Sequence, residues 1–253
     1  MSRIFITGSS EGLGRNAALD LLANGHELVL HARNPQRAQA LSDLAGRGVR
    51  VVTGDLAHTD DVRAVAEQIN SIGRMDAIIH NAGVADGAPI LPVNVVAPYL
   101  LTALIERPDR LVYISSGMHR SGREDLTGAD WSGSRATKSY SDSKLFITAL
   151  TMFLARTWPD VRTNAVDPGW VPTRMGGSSA SDDLREGHLT QAWLAGSKDP
   201  GADVTGGYWH HMRQQKPHPA ALHQDFQDEL VAQLGDHTGV PLPSPADQLS
   251  GQN

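Results

Sequence analysis

The sequence predicts an α/β fold, with one doubly wound parallel sheet and helices on both of its faces, built by a single domain over residues 1–240. Short apolar runs of strand length alternate with longer segments of helical periodicity, which is the pattern of successive βαβ units. The strand-length runs are nearly all apolar, as expected for strands that are covered on both sides. No internal repeat or linker divides the sequence.

The predicted elements alternate along the chain. Strands are predicted over residues 3–7, 27–31, 49–53, 77–80, 110–116 and 162–166. Helices are predicted over residues 16–24, 36–44, 60–72, 93–105 and 139–156, with a shorter helical segment at 189–194. Because a helix separates each strand from the next, right-handed crossovers should make the strands parallel.

Three segments interrupt this alternation. Residues 117–138 form a polar insertion between a strand and a helix, and residues 170–206 are rich in Gly, Ser and Asp. Loops of this length in a compact domain are usually functional covers or disordered. Residues 241–253 have the composition of an unstructured tail.

The composition excludes several classes of function. A formal net charge of −6 argues against nucleic acid as a partner. The absence of cysteine excludes disulfides, Cys-ligated zinc and thiol catalysis. The N-terminal residues do not form a signal peptide, and no apolar stretch reaches the roughly 18 residues of a membrane span. We therefore expect a cytoplasmic protein without a membrane span.

A glycine-rich turn joins the first predicted strand to the first predicted helix. Gly8, Gly12 and Gly14 in "TGSSEGLGR" have the spacing Gly-x-x-x-Gly-x-Gly. Glycines at such a junction let a pyrophosphate approach the helix N-terminus, where free N–H groups and the helix dipole attract anions. A glycine-rich turn alone is a weak signal, but its position in a βαβ series favours a dinucleotide site over a plain tight turn.

The end of the second predicted strand indicates which dinucleotide is bound. An acidic residue there accepts the ribose hydroxyls of NAD, whereas an arginine suits the 2′-phosphate of NADP. The chain reads "LVLHARN", with Ala32 in the position of the acid and Arg33 beside it. Glu11, next to the glycine turn, argues the other way because its charge would repel the phosphate. NADP(H) is the predicted cofactor, and NAD(H) is the alternative.

A tyrosine and a lysine stand four positions apart in "SYSDSK", residues 139–144. Positions i and i+4 of a helix share one face, so Tyr140 and Lys144 should project together. An ammonium group beside a phenol lowers a pKa that starts near about 10, which makes a tyrosine a usable general acid or base. For the pair alone, the alternative is a helix start capped by Ser139 or Ser141 with two solvated side chains.

Taken together, these features resemble the short-chain dehydrogenase/reductase superfamily, which has a Rossmann-type fold. The resemblance covers about residues 3–173, and its motifs occur in the family's order. The matching motifs are Thr7-Gly8-x-x-x-Gly12-x-Gly14, Asp55 of "GDL", Asn81-Ala82-Gly83 preceded by His80 instead of Asn, Asn94, Ser116, Tyr140-x-x-x-Lys144, and "DPGWVPT" from Asp167 to Thr173.

The resemblance implies an oxidoreductase that transfers hydride between a nicotinamide cofactor and a carbonyl or secondary alcohol. Tyr140 would transfer the proton, Lys144 would lower the pKa of Tyr140 and hold the nicotinamide ribose, Ser116 would bind the substrate oxygen, and Asn94 would position a water. The implied cofactor-binding residues are Gly8, Ser10, Gly12, Leu13, Gly14, Arg33, Asp55, Leu56, Asn81, Ala82, Gly83, Tyr140, Lys144, Pro168, Gly169, Val171 and Thr173.

Within the superfamily, the chain looks most like the retinol-dehydrogenase-like branch. The long gap between Ser116 and Tyr140, the "SSGMH" motif, and "TGGYWHHM" followed by "PHPAA" and a final helix carry this similarity. Two features depart from it. Asn81 and Asn94 are closer than usual, which predicts a shortened or absent helix, and a membrane-anchoring N-terminus is lacking. Both departures speak against a membrane-bound retinoid as substrate.

Further expectations concern the substrate and the partners. Large apolar residues in the two long loops predict a pocket for an apolar substrate of small to medium size, although each could also serve simple packing: Met118, Trp131, Trp170, Met175 and Trp193. His210 and His211 have no spaced third ligand, so we predict surface histidines and no metal. A homodimer or homotetramer is expected. The alternative function is a non-catalytic NADP-sensing regulator, a class that tends to lose catalytic residues.

Overall fold

The computed structural model describes residues 1–243 and contains an eight-stranded sheet. The strands are β1 (Arg3–Ile6), β2 (Glu27–Ala32), β3 (Arg50–Thr53), β4 (Ala77–His80), β5 (Arg110–Ile114), β6 (Arg162–Asp167), β7 (Gly207–His210) and β8 (Arg213–Gln215). Their order is β3-β2-β1-β4-β5-β6-β7-β8, and every pair is parallel except β7 and β8. The order reverses between β1 and β4, which is where open α/β sheets bind ligands. The predicted fold class is confirmed.

Helices cover both faces of the sheet. They are α1 (Gly12–Ala23), α2 (Pro35–Ala38), α3 (Ser42–Ala45), α4 (Thr59–Ile72), α5 (Ala97–Leu104), α6 (Tyr140–Thr157), α7 (Glu186–Gly196) and α8 (Gln224–Thr238). On one face α1 packs against α7, and on the other α4 packs against α5 and α6 against α8. Both faces need a cover because successive side chains of a strand point to opposite sides of the sheet. In β1, Ile4 and Ile6 belong to one hydrophobic cluster and Phe5 belongs to the other.

The structure differs from the predicted elements in several places. The helix predicted over residues 36–44 is divided into α2, a 3-10 turn (Gln39–Leu41) and α3. The division lies where the Arg15 guanidinium donates to the Ala40 carbonyl at 2.9 Å, which draws that carbonyl away from regular helical bonding. The helical segment at 189–194 is the middle of the longer α7. The sequence analysis did not predict β7 or β8, which are short and polar at their ends.

The first long loop and the C-terminal segment both contact the rest of the domain. In residues 117–138, Leu126 and Trp131 are buried in the hydrophobic core. At the C-terminus, the Trp158 indole donates to the Pro243 carbonyl at 3.1 Å. Residues 244–253 of the predicted tail lie outside the described residues. Within residues 1–243, no helix is both long enough and apolar enough to cross a bilayer.

His80, the last residue of β4, is a neutral histidine in the core. The Thr102 hydroxyl donates to the Pro98 carbonyl, so the His80 Nε2–H donates to Thr102 Oγ1, at 3.1 Å. The other ring nitrogen, Nδ1, is buried without a partner in the described chain, and the ring stacks on Tyr113 with 4.6 Å between centroids. Burial lowers the pKa of His80 to about 3.

We therefore expect the free energy of unfolding to fall as the pH drops below 6.5, the ordinary pKa of histidine. The unfolded chain binds a proton there that folded His80 does not accept, so about 2 kcal/mol is lost by pH 5, at about 1.4 kcal/mol per pH unit. Urea unfolding at pH 7 and pH 5 measures this loss. His80→Asn should reduce the difference between the two pH values, and His58→Asn, at an exposed histidine, should not. Equal pH dependence in His80→Asn and the natural protein would contradict the assignment.

Candidate active site

A capping box fixes the start of α6 one residue before Tyr140. The Asp142 N–H donates to Ser139 Oγ at 3.1 Å, and the Ser139 N–H donates to Asp142 Oδ2 at 2.9 Å. Asp142 also accepts a bond from the Arg123 N–H at 2.9 Å, which ties the 117–138 segment to the helix. Tyr140 is therefore the first helical residue, and Lys144 lies one turn further on the same face.

Lys144 is buried beside Tyr140. Its Nζ lies 5.4 Å from the centroid of the Tyr140 ring and donates to the Ile114 carbonyl at the end of β5, at 2.8 Å. A Cβ built on Gly83 would lie 3.6 Å from this Nζ and 3.3 Å from Asn94 Oδ1. The ends of β4 and β5 therefore meet the face of α6 that carries Tyr140 and Lys144 at one point.

Asn94 lies in a π-helical turn (Pro92–Val96) that precedes α5. Pro98 lacks the N–H that would close an α-helical bond to the Asn94 carbonyl, which favours the irregular turn. The Asn94 amide accepts from the Val84 N–H at 2.8 Å and donates to the Val84 carbonyl and to Ser143 Oγ, at 2.9 and 3.0 Å. The described residues 81–89 contain no separate helix, in agreement with the short spacing of Asn81 and Asn94.

The two serines after β5 have different surroundings. Ser115 is buried, with Oγ 2.7 Å from Thr148 Oγ1, whereas Ser116 is partly exposed and its Oγ accepts from the Met118 N–H at 3.2 Å. His119 holds the Ser116 backbone. Its Nε2 accepts from the His218 N–H at 2.9 Å, so Nδ1 carries the proton and donates to the Ser116 carbonyl at 2.8 Å. Ser116 is thus the serine whose hydroxyl can reach a ligand.

Burial shifts the pKa values of Tyr140 and Lys144. Burial lowers the pKa of Lys144 to about 8, and the charge of Asp167 acts in the opposite direction. Burial raises the pKa of Tyr140, the Ser116 side chain acts to lower it, and Asp167 raises it further. The expected depression of the Tyr140 pKa by Lys144 is not found: burial raises this pKa, and Tyr140 is protonated at neutral pH.

The glycine turn packs too closely for side chains. Gly8 has a φ of +63°, and a Cβ built there would lie 2.9 Å from Ala82 Cα. A Cβ on Gly14 would lie 2.5 Å from Asn81 Nδ2 and 2.6 Å from the Gly8 carbonyl oxygen. The Asn81 amide donates to the Thr7 and Gly8 carbonyls, both at 3.0 Å. The ends of β1 and β4 are thereby joined under the start of α1.

The N-terminus of α1 fits a pyrophosphate. The N-cap is Glu11, which makes no side-chain capping bond among the described residues. Its carboxylate instead pairs with Arg37 at 3.0 Å and Arg174 at 3.7 Å. The first-turn N–H groups therefore remain available to an anion, as dinucleotide binding requires. A Cβ on Gly12 would lie 3.6 Å from Thr173 Cγ2, so the loop after β6 borders the same cradle.

His31 is a buried contact of the glycine turn that the sequence analysis missed. Its Nδ1 accepts from the Gly8 N–H at 3.1 Å, so Nε2 carries the proton and donates to the Gly54 carbonyl at 2.8 Å. The ring connects the glycine turn to the residue before Asp55. Burial lowers the pKa of His31. In the sequence, the feature that could have indicated this contact is the histidine inside the apolar run "ELVLHA".

The remaining predicted cofactor residues follow the carboxyl ends of strands. Arg33 follows β2, Asp55 and Leu56 follow β3, Asn81, Ala82 and Gly83 follow β4, and Pro168, Gly169, Val171 and Thr173 follow β6, while Ser10 and Leu13 lie with the glycine turn. A Cβ on Gly187 of α7 would lie 2.7 Å from Val171 Cγ1 and 3.0 Å from Leu13 Cδ2. α7 therefore packs over both the glycine turn and the loop after β6.

Two of the five apolar residues predicted to line the pocket pack elsewhere. Trp131 is buried near Phe146, 6.1 Å between ring centroids, and Trp193 packs edge-on against Trp209 at 5.3 Å. Both predictions are corrected, because these indoles pack against Phe146 and Trp209 instead of lining a pocket. The other three, Met118, Trp170 and Met175, are exposed at the carboxyl edge of the sheet, at 55%, 53% and 50%.

Comparison with known proteins identifies the family. A family model described as short chain dehydrogenase matches residues 2–100. The short-chain dehydrogenase chyC of Penicillium rubens is 36% identical over 259 residues, which cover 96% of this chain and 100% of that protein. This chain belongs to the short-chain dehydrogenase family. Among the further relatives of this short-chain dehydrogenase is retinol dehydrogenase 13 of Homo sapiens, 27% identical over 97% of this chain and 87% of that protein.

Solved structures share the fold of this short-chain dehydrogenase. A blue fluorescent protein from a metagenomic library, crystallised in complex with NADPH, superposes with a TM-score of 0.68 at 24% identity, over 83% of this chain and 95% of that chain. At this identity the likeness supports the fold alone. The relatives thus identify the chain as a member of an oxidoreductase family, and the solved structures support its Rossmann-type fold.

Proposed function

We propose that this short-chain dehydrogenase transfers hydride between NADP(H) and a carbonyl or secondary alcohol that is mainly apolar and of small to medium size. We further propose that residues 1–240 act as one domain in a homodimer or homotetramer in the cytoplasm. The observation that carries the catalytic proposal is the convergence of Tyr140, Lys144 and Asn94 beside the partly exposed Ser116, at the sheet edge where the glycine turn also lies.

The chain's own residues handle the proton and the substrate oxygen. A bound nicotinamide supplies or accepts the hydride. Tyr140, protonated at neutral pH, donates to the carbonyl oxygen during reduction and takes the proton back during oxidation. Ser116 donates a hydrogen bond to the same oxygen and stabilises the negative charge that develops there. Lys144 holds the cofactor ribose, and Asn94 holds a water for proton exchange.

The preference for NADP(H) is supported by the charges around the cofactor turn. Arg33 is exposed and forms no hydrogen bond or ion pair with residues 1–243, so its guanidinium is available to a 2′-phosphate. Glu11, which argued for NAD(H), is paired with Arg37 at 3.0 Å. Its repulsion of the phosphate is thereby reduced, and Arg37 adds positive charge at the same place.

We expect Arg33→Ala to weaken NADPH binding by about 10-fold or more, since a hydrogen bond to a charged group contributes about 1.5–3 kcal/mol. NADH binding should stay within about two-fold, because NADH lacks the 2′-phosphate. Fluorescence titration with each reduced cofactor measures both values, and Arg47→Ala, at another exposed arginine, is the control. Tighter binding of NADH than NADPH by the natural protein would refute the preference.

An apolar substrate is supported by the distribution of exposed apolar side chains. Met118 follows β5, Trp170 and Met175 follow β6, and Met212 follows β7; we call these four residues the apolar rim. They are four of the six large hydrophobic side chains that are exposed within residues 1–243. Such a concentration beside the proposed reacting groups is typical of a binding surface, whereas single exposed apolar residues are not informative.

A screen of carbonyls and alcohols, followed by the absorbance of the reduced nicotinamide, tests this function. We expect oxidation of NADPH with apolar ketones or aldehydes, and little with carbonyls of similar size that carry a full negative charge. Cofactor binding without turnover of any compound would favour the non-catalytic NADP-sensing regulator. A clear preference for charged carbonyls would refute the apolar substrate while leaving the dehydrogenase function in place.

A further inference from the structure

A carboxylate and an imidazole lie side by side where β6 and β7 end. Asp167 is the last residue of β6 and His210 the last of β7, and the parallel register pairs them directly. Side chains alternate along a strand, so they share a face of the sheet with Ala165 and Tyr208. Those two residues pack against Met152 of α6. Asp167 and His210 therefore lie on the same face as the catalytic helix.

The Asp167 carboxylate lies against the segment that carries Ser116. Its Oδ1 accepts from the Gly169 N–H at 3.0 Å, and its Oδ2 lies 3.4 Å from His210 Nδ1. A Cβ built on Gly117, directly after Ser116, would lie 3.1 Å from this Oδ2. The Asp167 side chain thus contacts both the His210 ring and the backbone next to the proposed catalytic serine.

The His210 ring is held in place and has one nitrogen edge open. Nδ1 is buried and makes no hydrogen bond among residues 1–243, although Asp167 Oδ2 lies 3.4 Å away. The side chain is 30% exposed, so the open edge is the one with Nε2. The ring stacks on His211 at 3.9 Å between centroids. His211 is fixed in turn by its hydrogen bond to the Pro168 carbonyl at 3.1 Å, and the positive φ angles of His211 and Met212, 44° and 63°, turn the chain there.

The carboxylate determines what the open nitrogen can bind. The Asp167 carboxylate carries no proton to donate, and its negative charge 3.4 Å from Nδ1 favours the neutral tautomer of His210 that has its proton on Nδ1. Nε2 then presents a lone pair at the carboxyl edge of the sheet. A group that fits this nitrogen is a hydroxyl that donates a hydrogen bond.

We propose that His210, positioned by Asp167, binds a second hydroxyl group of the substrate, so that the preferred substrates are apolar hydroxyketones and the corresponding diols. This inference rests on the proposed function and deepens it. His210 is the specificity-determining residue, because it contacts the substrate away from the reacting carbonyl. Asp167 is a positioning residue that acts by fixing the His210 tautomer.

Three ketones of one skeleton test the proposal: 1-phenyl-1-butanone, its 3-hydroxy derivative and its 3-methoxy derivative. We expect kcat/KM for the hydroxyketone to exceed that for the plain ketone by about five-fold, as one added neutral hydrogen bond predicts. The methoxyketone has no proton to donate and should behave like the plain ketone. The difference should lie mainly in KM, because the hydroxyl binds equally before and during the reaction.

Variants separate this role from a structural one. His210→Phe keeps a ring of similar size. In this variant kcat/KM for the hydroxyketone should fall to about that for the plain ketone, and kcat/KM for the plain ketone should stay within about three-fold of the natural protein. Asp167→Ala should reduce the same preference, because the imidazole proton is then free to move to Nε2. His223→Phe, at an exposed histidine that pairs with Glu124, is the control and should keep the preference.

The outcomes are distinguishable. Equal preference for the three ketones in the natural protein, or an equal loss on all of them in His210→Phe, overturns the inference and leaves the proposed function standing. Turnover of other carbonyls but none of these three also overturns the inference alone. If no carbonyl of any kind is turned over, the proposed function fails, and the inference fails with it.

Discussion

Tyr140→Phe should lower kcat by about 10²–10⁴-fold, the usual contribution of a positioned proton donor. Its affinity for NADPH should remain within a few-fold of the natural protein, because the phenol acts on the substrate oxygen. Steady-state rates with the best carbonyl and fluorescence titration of NADPH measure the two quantities. The same substitution at Tyr99, whose hydroxyl donates to the Val240 carbonyl at 2.9 Å, is the matched control and should leave kcat unchanged.

Lys144→Ala should damage both turnover and cofactor affinity. Its Nζ is buried between the Ile114 carbonyl and the Tyr140 ring, and in the proposed mechanism it also holds the cofactor ribose. The two variants thus differ in their effect on NADPH binding, which a general loss of folding would not reproduce. Near-normal turnover by Tyr140→Phe on a good substrate would refute the proton transfer proposed for this residue.

Gly14→Ala should abolish tight NADPH binding and destabilise the fold by about 1–3 kcal/mol, the usual cost of overpacking a close contact. The new Cβ would lie 2.6 Å from the Gly8 carbonyl oxygen and 2.5 Å from Asn81 Nδ2, so the glycine turn and the start of α1 would have to separate. Urea unfolding measures the destabilisation, and NADPH titration at a pH and temperature where the variant is folded measures the affinity.

Gly46→Ala is the matched control for this prediction. Gly46 has a helical φ of −60°, and a Cβ there would meet only the Asp43 and Ser42 carbonyl oxygens, at 3.9 and 4.0 Å. Stability should be unchanged or slightly raised, because alanine reduces the entropy of the unfolded chain. If Gly14→Ala kept the stability and NADPH affinity of the natural protein, the glycine turn would not be the close-packed cradle described above.

Most of the parallel sheet was predictable because its determinants are local. Strands such as β4 (Ala77–His80) are short apolar runs between polar turns, and helices such as α4 (Thr59–Ile72) show regular apolar spacing. β7 escaped prediction because its four residues include a glycine and a histidine, and it becomes a strand by pairing with β6. The break between α2 and α3 also depended on a distant residue, Arg15.

The parts of the candidate site that depend on local spacing were also predictable from the sequence. Tyr140 and Lys144 share a helix face by spacing alone, and the glycine turn follows from its place between β1 and α1. The packing of Trp131 and Trp193 could not be predicted, because an indole in a loop is buried or exposed according to what packs over it. The contact of His31 with Gly8, and of His210 with Asp167, required the strand order.

By itself, the sequence determined the alternation of strands and helices, the family motifs and the residue types available for proton transfer, because these depend on neighbours within a few positions. The tertiary structure decided which groups meet. It placed Glu11 against Arg37, partly buried Tyr140 and thereby raised its pKa, and brought Asp167 and His210 next to the segment after Ser116. These contacts join residues from separate elements, and burial and charge pairing exist only once the elements have packed.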